Sequence, residues 1–90
     1  MKELTIHGAA ISDRAQLHAL LAEGLELPGY YGKNLDALHD CLTDPLDEEV
    51  SIVIEDLPAL TEALGDYAQR LVHVLYHAAK CNRQVHVKTI

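Results

Sequence analysis

Residues 2–7 alternate between apolar and polar, with Leu4 and Ile6 set against Thr5 and His7. A period of two predicts a half-buried strand. The alternation returns in VSIVIE, residues 50–55, where Val50, Ile52 and Ile54 oppose Ser51 and Val53, and again in QVHVKTI, residues 84–90. Between these segments the period lengthens to that of a helix. Leu17, Leu20, Leu21 and Leu25 form one stripe, opened by a capping-box pair, Asp13 and Gln16, and stopped near Gly24. Leu35, Leu38, Cys41 and Leu42 form a second stripe, capped by Asn34 and ended by Pro45, which also restricts Asp44. DLPALTEALG, residues 56–65, predicts a short helix with Pro58 in its first turn and Gly65 just past its end. Asp66 and Gln69 repeat the capping pattern, and Leu71, Val74, Leu75 and Ala78 carry a long helix to about Lys80.

Strands that alternate with helices predict an α/β fold: a small three-stranded parallel sheet packed with three to four helices, in one domain over residues 1–90. Parallel strands need crossovers, and the helices supply them. The alternation within each strand implies that one face of the sheet is partly wet. The loop LELPGYYGK, residues 25–33, is punctuated by Pro28, Gly29 and Gly32. There is no linker, repeat or low-complexity segment. Phe and Trp are absent, so Leu, Ile, Val and Ala must fill the core.

Charge changes the picture more by its placement than by its size. The net charge is -7, and no Lys or Arg occurs between Lys33 and Arg70. That interval holds Asp36, Asp40, Asp44, Asp47, Glu48, Glu49, Glu55, Asp56, Glu62 and Asp66. Such a chain repels phosphates, which argues against a nucleic-acid partner and for a basic protein. No apolar run is long enough to span a membrane, and Glu3 and His7 interrupt the start of the chain as a signal core would not be. The expected location is cytoplasmic. Cys41 and Cys81, without a CxxC spacing, read as two plain buried thiols rather than a disulfide or a zinc site.

Candidate chemistry is sparse. The glycines make no phosphate loop, and Cys41 sits on an apolar helical stripe where a nucleophile is out of place. Asp36, His39 and Asp40 fall at i, i+3 and i+4, so one ion can be imagined on that face, giving a metal-binding regulatory protein as one alternative. His7, His18, His73, His77 and His86 read as surface or satisfied interior residues. In the pair Tyr30 and Tyr31, one ring can pack inward while the other is presented outward, where Tyr is a favoured interface anchor. Asp36 and Asp40 share one helical face and repel one another by roughly 0.2–0.5 kcal/mol. The helix N-terminus compensates Asp36 but hardly Asp40.

The run LPGYYGKNLDALHDCLT resembles the barstar family of intracellular inhibitors of barnase-type ribonucleases. The similarity extends from the opening strand through IHG and the leucine-rich first helix to the closing helix and strand. The resemblance implies a barstar-like fold and a protein inhibitor, not an enzyme, with no cofactor and no metal. The implied partner is a small basic secreted ribonuclease, for which this chain is the immunity protein, a monomer when free. It further implies that Tyr30, Gly32, Asn34, Leu35, Asp36, Asp40 and Thr43 contact the enzyme, with Val74 from the last helix. Asp40 matches the acid that enters the phosphate-binding pocket, and Asp36 the acid beside it. The expected contact surface also includes His39, Asp44 and His77, which lie where the chain departs from the family pattern. His39 replaces a tryptophan, Asp44 and Pro45 replace a glycine-tryptophan pair, and His77 replaces an acid on the last helix. A binding module of the same fold for another basic protein is the other alternative.

Overall fold

The structure, a computed structural model, describes every residue of the chain except Met1, Tyr30 and Pro45. Three parallel strands, β1 (Lys2–His7), β2 (Val50–Glu55) and β3 (Val85–Thr89), lie side by side in chain order. Leu4 pairs with Ile52, which pairs with Val87, so the apolar positions of neighbouring strands fall in register. Leu4, Ile6, Val50, Ile52, Ile54 and Val85 are buried on one face. The other face carries exposed Glu3, Thr5, His86 and Lys88 around half-buried Ser51 and Val53, as the alternation predicts. His7 pairs with Glu55 at 3.2 Å on that wet side.

Among the described residues four α-helices accompany the sheet: α1 (Arg14–Gly24), α2 (Leu35–Thr43), α3 (Leu57–Leu64) and α4 (Asp66–Cys81). Leu17, Leu21, Leu38, Leu42, Leu60, Leu71 and Leu75 are all but fully enclosed with the strand residues in a largely aliphatic centre. Burying such a side chain is worth about 1.5–3 kcal/mol each. Asp13 accepts a hydrogen bond from Gln16 N at 2.7 Å, and Gln16 Oε1 reaches back one residue further than in a standard box, to Ser12 N at 2.8 Å. Gly24 closes α1 through close packing, since a Cβ there would lie 2.6 Å from Leu4 Cδ1. The left-handed residue after it is Glu26, with φ 52°.

One predicted boundary is wrong. Asp66 does not cap α4. Gly65, at φ 64° and ψ -141°, already turns the chain between α3 and α4, so Asp66 becomes the first helical residue. Gln69 donates to Thr61 Oγ1 at 3.3 Å, tying α4 to α3 instead of closing a box.

Candidate functional site

Helix α2 is the element the sequence singles out. Asn34 Oδ1 accepts from Ala37 N at 2.8 Å, which fixes its start. Leu35, Leu38 and Leu42 turn into the core, and α2 packs chiefly on α4. The inward stripe leaves Asp36, Asp40 and Asp44 in an i, i+4, i+8 row, and all three are exposed. Among the described residues none of these carboxylates makes a side-chain hydrogen bond or an ion pair. Asp36 gains from the helix N-terminus, whereas Asp40 and Asp44 sit against the negative end.

The far end of α2 is held by residues that follow α4. Asn82 Nδ2 donates to the carbonyls of Leu42 at 2.8 Å and Asp44 at 3.2 Å, which would otherwise end the helix unsatisfied. The Gln84 amide donates to Leu46 O at 2.7 Å and accepts from Leu46 N at 2.9 Å. Asp44 has the extended backbone expected before proline, at φ -74° and ψ 155°. On the flank, His39 Nε2 and His77 Nδ1 lie 2.7 Å apart and share a hydrogen bond between α2 and α4. The Thr43 hydroxyl donates to His39 O at 2.8 Å.

The entry to α2 is anchored by a polar triad inside the core. His18 is 2% exposed, with Tyr31 OH at 2.5 Å from Nδ1 and Tyr67 OH at 2.6 Å from Nε2. A neutral imidazole offers one donor and one acceptor, and a hydroxyl can play either part, so the triad satisfies itself. Burial pushes the His18 pKa down and those of both tyrosines up, so all three groups stay uncharged at neutral pH. Tyr31 is thus the inward ring of the pair, while Tyr30 lies outside the described residues.

The residues expected to meet a partner divide by exposure. Gly32, Asn34, Asp36, Asp40, Asp44 and His77 are exposed, His39, Thr43 and Val74 are half-buried, and Leu35 is buried. A groove of about 290 Å³ between α2 and α4 joins Leu35, Asp36 and Val74 to Gln69, Arg70 and His73. The sequence reading missed those last three. Arg70 and His73 stand four residues before Val74 and His77, so helical spacing would have found them. Asp40 and Asp44 border a second cleft of about 290 Å³ that also holds Glu26, Asp47 and Glu48.

Asp36, His39 and Asp40 do not form the imagined ion site. Among the described residues no group of three His, Cys, Asp or Glu is placed to hold a metal, and His39 is engaged with His77. The expectation of two buried thiols also fails for one cysteine. Cys41 is half-buried, but Cys81, the last residue of α4, is exposed beside His77. Burial, then the charges of Asp44 and Asp40, push the Cys41 pKa up. Thiol labelling of native protein should therefore modify Cys81 quickly and Cys41 slowly, with two free thiols by mass. Equal rates, or a two-hydrogen mass deficit, would contradict this placement.

A bare row of carboxylates on a helix clamped to a small α/β core is suited to docking on a basic surface. The barstar family model, described as "Barstar (barnase inhibitor)", matches residues 1–89. A Bacillus subtilis (strain 168) protein named "Putative ribonuclease inhibitor YrdF" is 36% identical over 78 residues, which is 87% of this chain and 86% of that protein. The chain belongs to the barstar family.

Proposed function

We propose that this protein inhibits a small, basic, secreted ribonuclease by seating α2 and the preceding loop in the enzyme's active site, and so protects the cell that makes the enzyme. The observation that carries this is the Asp36–Asp40–Asp44 row, unpaired among the described residues, in a member of a family of barnase inhibitors. A ribonuclease must hold a phosphodiester, so its site presents cationic side chains. A carboxylate on a rigid helix imitates the phosphate oxygens, and Arg can grip it through two parallel hydrogen bonds. Docking also relieves the repulsion along the row. The inhibitor contributes no catalysis and acts as a monomer in the cytoplasm. Titrating the protein into a barnase-type ribonuclease should abolish RNA cleavage at a one-to-one ratio. Tight binding to other basic proteins with no loss of cleavage would favour the alternative of a module with a different basic target.

Association should slow steeply with salt, because the Debye length is about 10 Å at 0.1 M and opposite fields accelerate encounter. Stopped-flow rates at low and high ionic strength read this directly, and a flat profile would remove steering from the mechanism.

A further inference from the structure

We infer that the cavity where α1, α2 and α4 begin binds a compact phosphate-type dianion. Its volume is about 460 Å³, and the N-terminal portions of three helices line it: Arg14 from α1, Asp36 from α2, and Tyr67 and Arg70 from α4. Lys33, in the turn before α2, adds a third cation, and buried His18 contributes to the wall. The chain has only seven Lys and Arg against fourteen Asp and Glu, yet three of its cations surround this one space.

The lining carries more positive than negative charge, with Arg14, Lys33 and Arg70 against Asp36. Among the described residues Arg14, Lys33 and Arg70 make no ion pair. The Arg14 and Arg70 guanidinium carbons lie 4.2 and 5.9 Å from the centroid of the same Tyr67 ring, which attracts both cations to this wall of the cavity but neutralises neither. Arg14 begins α1, where the helix dipole already points its positive end, and cations there are disfavoured. Lys33 is held at φ 56°, a left-handed conformation that costs a lysine energy. An anion with several acceptor oxygens can be met by more than one of these cations, and guanidinium groups match phosphate in paired hydrogen bonds. Asp36 on the rim offsets one positive charge. That limits the site to a small ligand, since the acidic surface beyond repels long polyanions.

The inference does not rest on ribonuclease inhibition, and its test contains no enzyme. Inorganic phosphate, pyrophosphate and uridine 3′-monophosphate are titrated separately into 15N-labelled protein at pH 8, with chloride at matched ionic strength as the control. Amide shifts should saturate at Arg14, Lys33, Asp36 and Arg70 with phosphate and not with chloride. Lys33→Gln and Arg70→Gln should each weaken binding by about tenfold, as loss of one charge-assisted bond predicts, and Asp36→Asn should tighten it. Lys33→Gln touches no core contact, so it remains informative if Arg70→Gln unfolds. Equal affinity for phosphate and the nucleotide would show that the phosphate alone is read, and tighter nucleotide binding that the cavity also takes the organic part. Shifts that follow chloride, spread over the whole surface, or survive Lys33→Gln unchanged would overturn the inference.

Discussion

Asp40→Ala is expected to give a fully folded protein that has lost most of its grip on the ribonuclease. The exposed carboxylate makes no side-chain bond among the described residues, so its removal opens no cavity and orphans no donor. It sits between Asp36 and Asp44 and near the negative end of α2, so thermal stability should hold or rise by about 0.2–0.5 kcal/mol. In the proposed complex the same deletion would leave the enzyme's phosphate-binding cations buried without a partner. Loss of one member of a buried charge pair costs about 2–5 kcal/mol, a scale partly set by the barnase–barstar pair itself and not obtained from this structure. Inhibition constants and melting temperatures, measured together, check both halves. An inhibitor of undiminished strength carrying Asp40→Ala would end the phosphate-mimic mechanism. A large drop in stability would mean that Asp40 serves the fold.

The largest expected effect on stability belongs to His18→Leu. The substitution leaves the hydroxyls of Tyr31 and Tyr67 buried without partners, at about 1–3 kcal/mol for each. It should also change how stability varies with pH. Burial lowers the folded-state pKa of His18 below the unfolded value of about 6.5. The unfolded chain therefore binds the proton first, and His18 makes the native state less stable as pH falls below about 6.5, until the folded-state value is reached. The slope from one such group cannot exceed about 1.4 kcal/mol per pH unit. Urea unfolding from pH 8 to pH 5 should show this slope in the wild type on top of any background that both proteins share. The difference between the two curves isolates His18, and parallel curves would mean that its proton affinity is unaffected by folding.

The strands and helices were legible because their signals are local. Leu4 and Ile6, or Leu71 and Leu75, announce a buried face by spacing alone, and Asp13 and Asn34 do cap the helices they precede. Asp66 misled because a capping pattern says nothing of the residue before it, and Gly65 had already made the turn. The outward placement of Asp36 and Asp40 followed from the stripe on the other side of α2. What spacing could not show was contact between distant segments. His18 meets Tyr31 and Tyr67 across 13 and 49 residues, and His39 meets His77 across 38. The resemblance placed both members of the latter pair near a partner, but not against each other. The cavity of Arg14, Lys33 and Arg70 escaped for the same reason: the three cations are scattered along the chain and gathered only by the packing of helix ends.

The bonds that finish α2 also set a schedule for the protein's synthesis. The Asn82 amide that satisfies Leu42 lies 40 residues downstream of it, and Gln84 lies 38 beyond Leu46. At a translation rate of about 5–20 residues per second, the ribosome makes those donors roughly 2–8 s after the segment they secure. During that interval the acidic helix exists as sequence without its clamp, and β3, which β2 needs as a neighbour, has not yet been made. The acidic face of α2 therefore lacks its clamp while the middle of the chain is emerging. Under the proposed function, a cell making both proteins would gain a margin of seconds if translation of this chain started before that of the enzyme.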